Sequence, residues 1–252
     1  HFYGFLAGET SQWEPRLVEN TVLIEPPHDP EYHLTTDLAD KAISWLHKHR
    51  AFSPDKPFLM YWAPGASHGP HHIFPEWADR YKGKFNAGWD VLRETVFASE
   101  KALGWIPPDA TLTPRPDTLA SWDSIPESQR PFQERLMEVF AGFTEHADHE
   151  AGRVIDEIDK LGLRDNTLIF YVFGDNSSSA EGQAGTISEL LAQNGIPNTV
   201  EQHLKAMESL GGLAALGGPS MDNMYHSGWA WAGSTPFQAT KLVAAYFGGT
   251  RN

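Results

Sequence analysis

Apolar residues that recur every three or four positions predict two long helices. Residues 34–50 carry one such face, and Thr35 or Thr36 is expected to cap its start. Residues 132–161 carry the longest face, and Gly162 follows it where a glycine commonly ends a helix. The apolar positions are Leu38, Ala42, Trp45 and Leu46 in the first face, and Phe132, Leu136, Val139, Phe140, Phe143, Ala147, Val154, Ile155, Ile158 and Leu161 in the second.

Two short, continuous apolar runs predict buried strands. They cover residues 58–63 and 167–173, and turn residues follow each of them. Shorter helices are expected over 186–194 and 199–210, with Gly211 and Gly212 closing the second. Strands separated by long helices are typical of a layered α/β fold.

Residues 76–130 interrupt this pattern. Helices are expected between 77 and 103, but 106–126 is rich in proline and poor in periodic apolar positions. We therefore expect a long insert at about 76–130, part of it a surface excursion. An excursion of this length in a compact domain is usually either functional or poorly ordered.

Composition then excludes several classes of function. With 19 basic and 33 acidic residues the formal charge is −14, which argues against a nucleic-acid partner. The same charge disfavours an anionic substrate unless a local cation holds it. The chain has no cysteine, so a disulfide, a thiolate zinc site and a cysteine nucleophile are all excluded within it.

No segment is expected to enter a membrane, because no apolar run approaches about 18 residues. The first residues lack the pattern of a secretory leader, and the chain begins with His1 instead of Met. We expect a fragment or a processed chain. The absence of cysteine does not indicate a compartment, so the cytoplasm and the periplasm both stay open.

Asp175 and Asn176 directly follow the second predicted strand. Ligands of open α/β sheets collect at the carboxyl ends of strands, and carboxylate and amide oxygens are donors that Ca²⁺ and Mg²⁺ take. The alternative is an ordinary turn, since Gly-Asp-Asn-Ser is typical turn composition.

Histidines follow the first predicted strand. His68 is nearest to the strand end and could donate to a bound anion or protonate a leaving oxygen. For His71 and His72 a solvated loop is the favoured interpretation, and a zinc site made of these three histidines matches no known spacing. Lys241 offers a compact charge for an oxyanion, although a lone lysine is usually a solvated surface residue.

Several short segments, taken in order, resemble the sulfatases of the alkaline phosphatase superfamily, and most of all large bacterial arylsulfatases of the actinobacterial kind. Three of these segments contain the side chains that could bind or react: Ala-Ser-His-Gly-Pro-His-His at 66–72, Gly-Asp-Asn at 174–176 and Ser-Ala-Glu-Gly at 179–182. The other resembling segments are 1–5, 8–10, 32–37, 55–58, 81–85, 88–90, 112–116, 228–230, 235–237 and 247–252.

The resemblance implies hydrolysis of a small sulfate ester at a Ca²⁺ site, with Mg²⁺ or another divalent cation as the alternative. It implies an alkaline-phosphatase-like mixed sheet flanked by helices. In such enzymes a cysteine or serine becomes formylglycine, whose hydrate attacks sulfur. Asp175 and Asn176 match a pair of metal ligands, His68 matches a histidine on the sulfate or leaving oxygen, and Lys241 matches a sulfate-binding lysine.

Some features of the family are missing from these 252 residues. We find no nucleophile motif and no first pair of aspartate ligands, and the smaller carboxy-terminal sheet is absent. Ser177 stands where glycine is usual, and residues 222–226 depart from the usual order. We therefore interpret 1–252 as the central part of a catalytic domain, with formylglycine outside it.

Two alternatives stay open from the sequence. One is a phosphatase, phosphonate hydrolase or phosphodiesterase of the same superfamily, because these differ chiefly in the nucleophile. The other is a non-catalytic truncated remnant. In either case we expect the chain alone to be inactive and to self-associate through exposed apolar surface.

Overall fold

The computed structural model describes residues 1–174 and 178–241. Seven α-helices are found there, together with a three-stranded antiparallel sheet of order β1-β2-β3. The strands are β1 (Tyr3–Gly4), β2 (Leu17–Glu19) and β3 (Val22–Ile24). The helices are α1 (Leu34–Phe52), α2 (Pro75–Ala78), α3 (Gly88–Ala102), α4 (Arg130–Lys160), α5 (Glu189–Gln193), α6 (Val200–Met207) and α7 (Ser227–Gly233). Short 3₁₀ turns cover Asp79–Tyr81, Trp122–Ser124, Arg164–Asn166 and Gly212–Ala215.

The two long predicted helices are confirmed as α1 and α4. Gly162 has a φ of +70°, as expected of the residue after a helix end. The predicted cap of α1 is wrong, because the capping residue is His33, whose Nδ1 accepts from the backbone N–H of Thr35. Thr35 is inside the helix and fully buried, and its hydroxyl donates to Gln12 Oε1 at 2.9 Å.

The main core lies where α4 meets α2, α3 and α7. Fully buried aromatic side chains fill it, and each contributes roughly 1.5–3 kcal/mol by leaving water. The Trp229 indole also donates to the backbone carbonyl of Gln133 at 3.0 Å, which ties α7 to α4. The central members of this cluster are Trp89, Phe132, Leu136, Val139, Phe143 and Trp229.

The interpretation of residues 58–63 and 167–173 as buried strands is wrong. Within the described residues neither segment pairs with another strand. One face of each packs toward α1 and α4 through Phe58, Met60, Trp62 and Ile169. The opposite face lies in water, with Leu59 94% and Phe170 82% exposed. A strand is buried on both faces only if other helices or strands pack against both of them.

The expected insert contains α2 and α3 and contributes to the core near its end, where Trp122 and Ile125 are buried. A glycine at 88 permits this packing, because it has a φ of +80° and a Cβ there would overlap the Trp122 ring at 2.0 Å. None of the helices within 1–174 and 178–241 is long and apolar enough to cross a membrane.

Arg93 of α3 is fully buried and joins three segments. Its guanidinium donates to the Trp231 carbonyl, in the carboxyl half of α7, at 2.9 Å. It also donates to the Phe237 carbonyl, which follows that helix, at 2.8 Å. It also donates to the hydroxyls of Thr113 and Thr235. A cation is favourable at the carboxyl end of a helix. The bonds of Arg93 to residues 231, 235 and 237 also fix the chain segment that leads from α7 to Lys241.

Candidate functional site

The structure brings together two of the residues that the sequence singled out. The ammonium nitrogen Nζ of Lys241 lies 3.0 Å from Nε2 of His68, although the two residues are far apart in the chain. The Lys241 backbone N–H also donates to the Ser178 carbonyl at 3.0 Å. Asp175 and Asn176 lie outside the described residues, so their proposed role as metal ligands stays a prediction.

A tight turn presents the His68 ring. The His68 backbone N–H donates to the Gly65 carbonyl at 2.9 Å, and the following residue is glycine. A Cβ at Gly69 would lie 2.7 Å from Met224 Cε and 2.9 Å from Glu189 Oε1. A larger residue would require the ends of the Met224 and Glu189 side chains to move, so glycine lets the loop approach α5 with both in place.

His71 and His72 do not join His68, and the expectation of a solvated loop is wrong for both. His71 is 3% exposed and packs against the rings of Phe140 and Tyr225. Burial and the nearby histidines lower its pKa to about 3. His72 is 1% exposed; its Nε2 donates to the Met221 carbonyl, and its Nδ1 accepts from the Gln12 N–H.

Carboxylates surround His68 instead. Glu9 Oε2 lies 3.4 Å from Nδ1, and Glu181 Oε2 lies 4.0 Å from Nε2. Glu189 belongs to the same group, since the donor atoms of Glu9, His68 and Glu189 all lie within 4.8 Å of one another. Residue types and spacing gave no signal for Glu9 or Glu189, because they reach the site only through the fold.

Glu189 differs chemically from its neighbours. Burial is the largest cause that raises its pKa, and with the charges of Glu9, Asp222 and Glu181 the pKa reaches about 8. Gln193, one turn later on α5, donates to Glu189 Oε1 at 3.1 Å and to both oxygens of Glu9 at 2.8 and 2.9 Å. At neutral pH Glu189 therefore carries a proton, which removes a negative charge from beside Glu9.

The donor atoms of this group do not suit Ca²⁺. Calcium takes six to eight oxygen ligands, whereas Glu9 and Glu189 supply carboxyls and His68 supplies a nitrogen. Both ring nitrogens of His68 also have other partners, since Nδ1 lies 3.1 Å from the Gly69 carbonyl and Nε2 lies beside the Lys241 ammonium. A cation there would be repelled by Lys241.

The whole arrangement is suited to an anion held by an amine and an imidazole. Comparison with known proteins identifies a family to which the chain is similar. A family model described as Sulfatase matches residues 1–251. An uncharacterised sulfatase of Schizosaccharomyces pombe is 29% identical over 248 residues, which are 93% of this chain and 42% of that protein.

An arylsulfatase of Klebsiella aerogenes is 24% identical over 194 residues, which are 72% of this chain and 40% of that enzyme. The chain thus spans about two fifths of the length of these curated relatives.

Proposed function

This chain belongs to the sulfatase family, and we propose that it contributes His68 and Lys241 to a site where the whole protein hydrolyses an aryl sulfate. Its fold is accordingly α/β and alkaline-phosphatase-like, with mixed helices and a small antiparallel sheet. The observation that carries the proposal is the 3.0 Å approach of Lys241 Nζ to His68 Nε2.

These two atoms define a point at which an oxyanion would be stabilised. Lys241 has three donors and no acceptor, so in the ligand-free protein it donates to the lone pair on Nε2. A sulfate oxygen between them would accept from Lys241 in place of the imidazole. A protonated His68 then has its Nε2–H available for the ester oxygen that leaves as a phenol.

Charge also supports this assignment. The formal charge of the chain is −14, and Glu9 and Glu181 lie near the His68 ring. An anionic ester would be repelled unless cations contact it directly. Lys241 and a protonated His68 supply two such charges where negative charge develops in the transition state.

Asp175 and Asn176 are the residues that would hold a divalent cation, Ca²⁺ or Mg²⁺, in this proposal. Bound there, the metal would supply Lewis-acid stabilisation of the sulfate oxygens. A formylglycine hydrate elsewhere in the whole protein would supply the nucleophile. The part of this chain is to bind the sulfate and to protonate the leaving group.

Replacing Lys241 in the full-length protein tests the proposal. Lys241→Met is expected to lower kcat/KM for 4-nitrophenyl sulfate by about 10²–10³-fold, the usual loss for one donor to a developing oxyanion. Lys241→Arg keeps the charge but not its compact geometry, so it is expected to recover only part of the activity.

Lys205→Met is the matched control, because Lys205 is an exposed lysine of α6. It is expected to retain the activity of the unchanged protein. If Lys241→Met keeps more than half of that activity, the assignment of Lys241 is wrong. Hydrolysis of 4-nitrophenyl phosphate in preference to the sulfate would instead indicate a phosphatase of the same superfamily.

A further inference from the structure

The two nitrogens of the His68 ring have different neighbours. Nε2 lies 3.0 Å from the Lys241 ammonium, which can only donate, so Nε2 carries the lone pair. The hydrogen of the neutral ring must then be on Nδ1. That atom has two acceptors within reach, the Gly69 carbonyl at 3.1 Å and Glu9 Oε2 at 3.4 Å.

Glu9 is itself held in place from α5. The Gln193 side-chain amide lies 2.8 Å from Glu9 Oε1 and 2.9 Å from Oε2. A carboxyl oxygen of Glu189 lies within 4.8 Å of one of Glu9, and a protonated Glu189 can donate to that carboxylate. Two donors from successive turns of one short helix therefore fix the Glu9 carboxylate and leave it facing His68.

We propose that Glu9, held by Glu189 and Gln193 of α5, is a positioning residue that keeps the His68 hydrogen on Nδ1 and turns Nε2 toward Lys241 and the substrate. The inference rests on the function proposed above, because it concerns the same imidazole. Glu9 need not touch the substrate.

The arrangement has a chemical consequence. When Lys241 turns to a sulfate oxygen, the lone pair on Nε2 can take up a proton from solvent water, which the ring later delivers to the leaving oxygen. The imidazolium formed in this way would lie against the Glu9 carboxylate, which stabilises its charge. A carboxylate behind a catalytic histidine generally serves both roles, fixing the tautomer and stabilising the charged ring.

The first test reads the tautomer and does not depend on turnover. The full-length protein is labelled with ¹⁵N-histidine, and the His68 signals are assigned by their loss in His68→Gln. Nδ1 is expected to be protonated and Nε2 unprotonated in the neutral ring. In Glu9→Ala the population with Nε2 protonated is expected to rise measurably. Unchanged His68 shifts in Glu9→Ala would overturn the positioning role, whether or not the protein is active.

The second test separates positioning from folding. Glu9→Ala is expected to lower kcat for 4-nitrophenyl sulfate by about 10–100-fold with KM changed less than about threefold, as is usual when a group behind a catalytic ligand is lost. Glu9→Asp is expected to recover part of kcat. Glu14→Gln is the control, since Glu14 is an exposed glutamate of the same segment.

The tests of Glu9 give different results depending on whether the positioning role or the proposed function is wrong. If the unchanged protein does not hydrolyse the sulfate ester, the function is wrong, and the tautomer measurement still decides the role of Glu9. If Glu9→Ala and Glu14→Gln both keep full kcat, Glu9 does not position His68.

Discussion

The histidine that begins α1 shows how one buried ring can make folding depend on pH. His33 Nδ1 accepts from the Thr35 N–H, so Nε2 carries the hydrogen and donates to the His72 carbonyl at 3.1 Å. Burial lowers the His33 pKa to about 3, with the nearby His146 and His72 acting in the same direction. The ring is therefore neutral in the folded protein and protonated in the unfolded chain at acid pH.

Acid should accordingly destabilise the protein through His33. Its folded pKa lies below the unfolded value of 6.5, so the contribution is complete above pH 6.5 and is lost as pH falls toward 3. We expect this residue to remove about 2 kcal/mol from the free energy of unfolding between pH 6.5 and 5.

His33→Asn keeps a capping side chain and removes the titration, so urea unfolding should depend less steeply on pH in this range. His28→Asn replaces an exposed histidine and should leave the slope unchanged. Equal slopes for His33→Asn and the unchanged protein would contradict this account.

Glu189 should have the opposite pH dependence. Its folded pKa of about 8 exceeds the unfolded value of 4.5, so stability is complete below pH 4.5 and is lost as pH rises through 8. Because Glu189 is partly exposed, we expect a discounted loss of roughly 1–2 kcal/mol between pH 5 and 9. Glu189→Gln should remove this loss and unfold at higher temperature than the unchanged protein at pH 9. A lower melting temperature for Glu189→Gln at pH 9 would argue against a protonated Glu189.

The sequence predicted residues of the candidate site only where they follow a strand-like apolar run or lie in a segment that resembles the family. His68 and Lys241 were named in these ways, and the structure places them 3.0 Å apart, while their roles in a sulfate site stay predictions. Glu9 lies in the family-like segment 8–10, but nothing in that segment indicates that it is a partner of His68. The capping role of His33 was missed because threonines with stronger capping preference follow it.

At the scale of elements, local periodicity predicted helices much better than strands. The bounds of α1 and α4 lie within two residues of the expected 34–50 and 132–161. A helix satisfies its own backbone, so its pattern is sufficient to specify it. Segments 58–63 and 167–173 have strand-like composition, but pairing depends on chain that the described residues do not supply.

Arg93 carries much of the cohesion between α3 and α7. Arg93→Met should remove four hydrogen bonds, two of them to buried acceptors, and lower the free energy of unfolding by about 3 kcal/mol. Arg80→Met also removes an ion pair and a contact with a tryptophan ring, but at an exposed site, so it should lower stability by less than about 1 kcal/mol. Equal urea midpoints for these two variants would show that Arg93 does not join the helices.

At the scale of the molecule, the main exposed apolar surface considered is the outer face of the extended segments 58–63 and 167–173. Leu59, Tyr61, Leu168, Phe170 and Val172 all lie largely in water. Unpaired backbone and apolar side chains on one face favour pairing with another chain.

We expect the 252-residue chain to self-associate through this face, more strongly at high salt, where the repulsion due to its charge of −14 is screened. Leu168→Lys combined with Phe170→Lys should shift sedimentation equilibrium toward monomer by at least tenfold in the dissociation constant. Leu103→Lys changes an exposed leucine at the end of α3 and should have little effect. Association that survives the double substitution would place the contact elsewhere.

The meeting of His68 with Lys241 also has a consequence in time. Glu9 and His68 leave the ribosome before Glu189 and Gln193, and Lys241 follows them. Domains begin to fold while synthesis continues, at roughly 5–20 residues per second. The long α1–α4 pair can therefore form on the ribosome well before His68 and Lys241 come together. In a nascent chain His68 therefore lacks its Lys241 neighbour until nearly all of residues 1–252 have been synthesised.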